Sequence, residues 1–174
     1  MANSDLFVPK LLRLEGGFVN RADDRGGPTN MGVTLSTWRN VGYDKDGDGD
    51  IDTEDIRQLS SEDAMSVMKT MYWNRWKADR IKNQSVAEIL VDWVWASGKW
   101  GIIIPQRILN IPDDGIVGEK TIQALNEADQ KELHLDVWIA RKKFFDDLVV
   151  NHPDQIVNLH GWMNRLKEFK FLAT

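Results

Sequence analysis

Apolar side chains return at helical spacing along most of the chain, and the breaks between periodic runs are marked by glycine, proline and short polar residues. After Ser4, a candidate N-cap, the residues Leu6, Phe7, Leu11, Leu12 and Leu14 form the apolar side of a first helix running to about Glu15, with Pro9 tolerated near its start. Residues 18–34 hold too many glycines and turn residues for a helix and read as an irregular hairpin with short extended pieces. Short helices are expected from Leu35 to Val41 and from Thr53 to Leu59. Ser60 with Asp63 is a capping-box-like start for a helix to about Arg75, and Ser85 with Glu88 starts another. That segment, SVAEILVDWVWASG, is apolar on nearly every face, which predicts a helix buried at the centre of the fold. Further helices are expected around Ile103–Leu109, Glu119–Ala128, Lys131–Val150 and Asp154–Phe169. The fold class is all-α, or mainly α, in one domain or two closely joined lobes.

Asp92 interrupts the apolar helix. A carboxylate there must be paired or hydrogen-bonded, so it is expected to anchor another segment. The chain has no cysteine, which excludes disulfides and thiolate zinc sites, and His134, His152 and His160 are too far apart in sequence to form a metal-ligand pattern. The opening MANSDLFVPK lacks a basic stretch followed by a long apolar one, and no apolar run reaches membrane-spanning length. The expectation is a protein synthesised in the cytoplasm without a signal peptide and without membrane insertion.

Charge changes the picture in one place. The net charge is −5, but residues 44–55, DKDGDGDIDTED, carry seven carboxylates against Lys45, a net of −6, which leaves +1 for everything else. With no basic stripe in that remainder, a nucleic-acid partner is not expected. Within the acidic stretch, carboxylates fall at positions 1, 3, 5, 9 and 12 of a twelve-residue frame, with Gly49 at position 6 and Ile51 at position 8. This is the spacing of an EF-hand calcium loop. Asp44, Asp46 and Asp48 would supply side-chain oxygens, Asp50 a backbone carbonyl, Asp52 a contact through water, and Asp55 the closing carboxylate. Asp55 stands where glutamate is usual, and its shorter arm weakens calcium relative to magnesium. The ion expected is a structural Ca2+, with Mg2+ as the alternative.

The stretch LRLEGGFVNRADDRGGPTNMGVT, residues 12–34, holds the candidate chemistry. Glu15 falls in the last turn of the first helix, where the negative end of the helix dipole favours the protonated carboxyl that a general acid needs. The glycines after it leave room for an extended polymer to approach the backbone. Asp24, Thr29 and Thr34 are candidates to position a water or bind sugar hydroxyls. The plain alternative is that Gly16 and Gly17 only cap a helix whose last residue is solvated.

EGGFVNRADDRGGPTNMGVT resembles the signature of glycoside hydrolase family 108, the lysozyme-like N-acetylmuramidases, through Glu15, Gly16, Gly17, Asp24, Gly26, Gly27, Thr29, Gly32 and Thr34, with Val33 for an isoleucine. VDWVWASG is similar to that family's central helix. QRILNIPDDGIVGEKTIQAL is similar to the peptidoglycan-binding-like segment that follows, through Gln106, Leu109, Asp114, Gly115, Gly118 and Thr121. GWMNR, residues 161–165, is similar to a Gly-Trp-x-x-Arg motif near the family's C-terminus.

The resemblance implies a lysozyme-like helical fold with a glycine-rich hairpin after the first helix and the acidic loop as an insertion. It implies a catalytic lobe over 1–98 and a peptidoglycan-binding-like lobe over 99–174, packed as one unit. It further implies cleavage of the β-1,4 bond between N-acetylmuramic acid and N-acetylglucosamine by a monomer acting on peptidoglycan glycan strands, with Glu15 as general acid. The nine-residue step from Glu15 to Asp24 is that of phage-type lysozymes, while Thr29 comes one residue early, so a second catalytic carboxylate stays open. Substrate contacts are assigned to Gly27, Thr34 and Trp73, the last as one of the tryptophans able to stack on a sugar. Two alternatives remain: a lytic transglycosylase using the same glutamate, and a non-catalytic peptidoglycan-binding or secretion-associated protein. An endolysin released through a holin and an enzyme exported by its host are equally compatible with the sequence.

Overall fold

The computed structural model describes residues 1–20 and 27–173. Among the described residues the fold is mainly α and lysozyme-like, with nine α-helices and one two-stranded sheet. The chain divides into two compact units, Ser4–Met71 and Met1–Asn3 with Tyr72–Thr174.

In the first unit, α1 (Ser4–Leu14) is followed by the antiparallel pair β1 (Thr29–Asn30) and β2 (Val33–Thr34), then α2 (Leu35–Val41), α3 (Thr53–Arg57) and α4 (Ser61–Met68). Ser4 is the first residue of α1 rather than its cap. Ser60 caps α4 as its sequence suggests, accepting the Asp63 N–H while the Asp63 carboxylate accepts the Ser60 N–H. The core of this unit gathers Val33, Trp38, Ile56, Leu59, Ala64 and Val67, with Phe18, Ile51 and Met71 packed at its edge. α1 packs on α4.

Past Met68 the helix expected to run to Arg75 changes pitch. Lys69–Trp73 is π-helical, Asn74–Trp76 is 3-10, and Lys77 turns left-handed at φ 48°. The second unit then continues with α5 (Gln84–Ser97), α6 (Trp100–Ile108), α7 (Glu119–Glu127), α8 (Gln130–Asn151) and α9 (Ile156–Lys167). α5 is buried against α6 and α8. At Gly101 a Cβ would lie 2.5 Å from the Val94 backbone nitrogen, so glycine is what lets α6 turn back onto α5. The N-cap of α5 is Asn83, whose side chain accepts the Val86 N–H. Ser85 is used otherwise, its hydroxyl accepting the Leu172 N–H at 3.0 Å.

Asp92, fully buried, is met by two arginines. Arg141 Nη2 on α8 donates to it at 2.6 Å and Arg165 Nη2 on α9 at 2.7 Å. Arg165 is the last residue of the GWMNR motif, so two of the motifs in this unit are halves of one interaction. The third is braced by Gln106, which is 1% exposed. Its side-chain nitrogen donates to Asp114 at 2.9 Å and to the Ile116 carbonyl at 3.0 Å, while its oxygen accepts the Gly115 N–H at 2.9 Å.

Candidate functional site

Glu15 directly follows the last residue of α1, half-buried, and its N–H donates to the Leu12 carbonyl at 3.1 Å. The chain beyond it runs alongside the β1–β2 hairpin. The Gly16 carbonyl accepts the Met31 N–H at 3.1 Å, and Val19 pairs with Thr29 through reciprocal bonds of 2.7 and 2.8 Å. Met31 and Gly32 form the hairpin turn with φ of 48° and 76°, the left-handed pair that a two-residue connection requires.

Residues directly opposed across antiparallel strands share a face. The register Thr29↔Thr34 and Val19↔Thr29 therefore sets Val19, Thr29 and Thr34 on one face, and Asn30 with Val33 on the other. Val33 is fully buried in the core, so the threonine face points away from it. Asn30, 8% exposed, donates from Nδ2 to the Ile56 carbonyl of α3 at 2.9 Å and fastens the hairpin down. The sequence reading passed over Asn30. Its one signal was its place opposite Val33, on the inward side of the hairpin. Among the described residues, a Cβ added at Gly16 or Gly17 would meet nothing within 4 Å, so no described side chain covers the backbone next to Glu15 on those faces.

The other residues singled out in the sequence fall as follows. Thr29 Oγ1 donates to the Gly27 carbonyl at 3.2 Å, and Gly27 is left-handed at φ 68°. Thr34 caps α2, its Oγ1 accepting the Thr37 N–H at 3.1 Å. Both hydroxyls thus hold local structure, and both residues remain half-buried. Asp24 and Gly26 lie outside the described residues. Trp73 is corrected: its ring is fully buried and its Nε1 donates to Asp79 at 2.7 Å, leaving no face for a sugar. Trp76 is fully buried as well. Both indoles are buried where the chain passes from π to 3-10 pitch.

The acidic loop sits between α2 and α3. Asp44 accepts the Gly47 N–H at 2.6 Å and the Gly49 N–H at 2.8 Å on its two oxygens, and Gly49 is left-handed at φ 103°. Asp55 accepts the Lys45 N–H at 2.5 Å and the Asp52 N–H at 2.6 Å, so it joins the start of the loop to its end. Ile51 is packed against the core, and its carbonyl accepts from Arg39 Nε of α2 at 2.9 Å. The carboxylates form two groups, Asp44, Asp46 and Asp48 in one and Asp50, Asp52 and Asp55 in the other, each with one oxygen per residue within 4.8 Å of the rest. The sequence frame had assigned Asp50 a backbone ligand and Asp52 a water-bridged one, whereas their side chains gather with Asp55.

Crowding shows in the titration of the loop. Burial and the charges of Asp48, Asp55 and Asp44 raise the Asp46 carboxyl, against the Asp48 N–H that lowers it. The Asp48 charge, together with partial burial and the charges of Asp52 and Asp55, raises Asp50. Burial pushes Asp55 up, but the N–H groups of Lys45, Asp52 and Asp46 outweigh it and hold that carboxyl low. An all-oxygen donor set with this much uncompensated charge suits a hard divalent cation.

Residues 8–98 match the family model described as Glycosyl hydrolase 108, and residues 100–167 match that of a predicted peptidoglycan domain. None of the curated proteins matches the chain. Among solved structures, the chain is similar to SagA of Brucella abortus, with a TM-score of 0.71 over 95% of this chain and 94% of that one, at 22% sequence identity. That likeness is one of fold.

Proposed function

From the premise that the chain belongs to the glycosyl hydrolase 108 family and carries a peptidoglycan domain, we propose that this peptidoglycan hydrolase is an N-acetylmuramidase with Glu15 as its general acid. One observation carries the reading: the half-buried Glu15 directly follows α1 beside glycine backbone that no described side chain covers, on a segment bonded at Gly16 and Val19 to the hairpin that bears Thr29. Glu15 would protonate the bridging oxygen as the bond to C1 of N-acetylmuramic acid breaks, and water would add at that carbon. Asp24 is the candidate second carboxylate, to activate that water or face the developing positive charge. The Thr29 hydroxyl is the nearby candidate to steady it, while Gly27 and Thr34 border the same stretch of chain.

In the acidic loop, Asp44, Asp46, Asp48, Asp50, Asp52 and Asp55 would hold a structural Ca2+, or Mg2+. Bound there, the ion supplies only charge neutralisation, and α3 and the Arg39 contact inherit the order it brings.

Digestion of purified peptidoglycan, with mass spectrometry of the released fragments, tests the reading for wild type and Glu15→Gln. Reducing muramic-acid ends from wild type, with Glu15→Gln slower by about 10²- to 10⁴-fold, support the muramidase. Anhydromuramic ends would make the same glutamate that of a lytic transglycosylase. Sedimentation of both proteins with the wall and no fragments would leave a binding protein.

A further inference from the structure

The first unit carries a concavity. It is a groove of about 520 Å³ between α1 and α4. Val8, Pro9 and Met65 give it an apolar floor. Along its α4 side Glu62 and Lys69 stand seven positions apart, roughly 10 Å at the helical rise. Both are exposed, and among the described residues neither has an ion-pair partner, so the rim presents one uncompensated charge of each sign. Asp5, whose carboxylate takes the Ser4 hydroxyl at 3.3 Å, lines the α1 side of the groove.

A ligand suited to this groove is narrow, lays methyl and methylene groups on its floor, and carries a carboxylate and an amine separated by roughly 10 Å. An extended peptide covers that span in about three residues, at roughly 3.3–3.6 Å each. The groove also lies along the helix that ends at Glu15. From Pro9 and from Asp5 to Glu15 the rise is roughly 9 and 15 Å, the reach of about three to five extended residues.

We propose that the α1–α4 groove receives the short peptide that peptidoglycan carries on its muramic acid, with Lys69 meeting a peptide carboxylate and Glu62 the amine of its diamino acid. This rests on the muramidase reading and deepens it: the enzyme would recognise a glycan that bears peptides, through a subsite on the same helix as its acid.

Two substrates and one soluble probe test this. Cleavage is followed on intact peptidoglycan and on the same glycan stripped of peptides by an amidase, for wild type, Lys69→Glu and Glu62→Lys. Binding of the synthetic tripeptide L-alanyl-γ-D-glutamyl-meso-diaminopimelate is followed by calorimetry. The expected result is a KM about fivefold higher for either variant on intact peptidoglycan, no change in kcat, and no difference from wild type on stripped glycan. The tripeptide should bind wild type and bind Lys69→Glu about fivefold more weakly. Equal effects on both substrates, or tripeptide binding that is absent or indifferent to Lys69, would overturn the proposal. If wild type cleaves neither substrate yet binds the tripeptide through Lys69, the groove stands and the catalytic reading falls.

Discussion

Asp63 holds the third position of α4, with the Lys45 ammonium 2.6 Å away and both the N–H and the hydroxyl of Ser60 donating to it. Burial raises this carboxyl, and the Lys45 and Ser60 contacts outweigh burial, holding it at about 2 against an ordinary value of 3.8. Because the folded value is the lower one, its stabilisation is complete above pH 3.8 and is lost as pH falls through 2. Allowing for partial solvent screening, it amounts to about 1–2 kcal/mol. Asp63→Asn should therefore lose about that much at pH 7 in urea denaturation and converge on wild type near pH 2. Asp92 obeys a harsher rule, since Arg141 beside it has no water to fall back on. Asp92→Ala strands Arg141, which is itself fully buried, and is expected to cost about 3–5 kcal/mol by the same measurement. The need for a partner at Asp92 was legible, because a carboxylate in an apolar helix cannot stay alone. The partners were not, for they come from 49 and 73 positions away, where no local pattern reaches.

At the scale of elements, periodicity located most of the described helices to within a few residues, α4 excepted, which ends seven residues before the expected Arg75, and tertiary demands decided their ends. Asn83 and Ser85 are both good caps; Asn83 caps α5, and the returning C-terminal segment bonds both, Asn83 Nδ2 donating to the Leu172 carbonyl at 3.3 Å and the Ser85 hydroxyl accepting the Leu172 N–H at 3.0 Å. The pitch change after Met68 was also hidden. A spacing of three already sets Trp73 and Trp76 on one side, but it does not announce the wider π turn that ends at Trp73. In the candidate site, Glu15 and the hairpin were visible as glycine-rich punctuation, whereas the Asn30 anchor depends on α3 being there to accept it. Gly101→Ala is expected to be destabilising by about 1–3 kcal/mol, since its Cβ would press on the α5 backbone, with a lowered Tm as the readout. The acidic loop yields a different prediction. Chelation should lower the Tm, and added Ca2+ restore it in proportion to the logarithm of its concentration. Turnover of the enzyme that stays folded should change less, because the carboxylates of the loop are proposed to order α3 rather than meet the glycan. Abolished turnover with an unchanged Tm would contradict that division of labour.

For the whole molecule, two boundaries have to be kept apart. Recognisable family sequence changes hands between residues 98 and 100, but the compact units part between Met71 and Tyr72, so α5 matches with one half and packs with the other. A fragment of residues 1–98 would end on α5 with its apolar surface uncovered and Asp92 facing neither arginine. It is expected to aggregate or melt without a cooperative transition in circular dichroism, whereas a fragment of residues 72–174 should melt cooperatively.

The Asp92 pairing also limits how such enzymes can be recombined. Exchanging lobes between relatives at the visible sequence seam would ask the aspartate of one parent to neutralise arginines chosen in the other. A crossover near residue 71 moves all three together, so chimeras joined there should outlast those joined near residue 98.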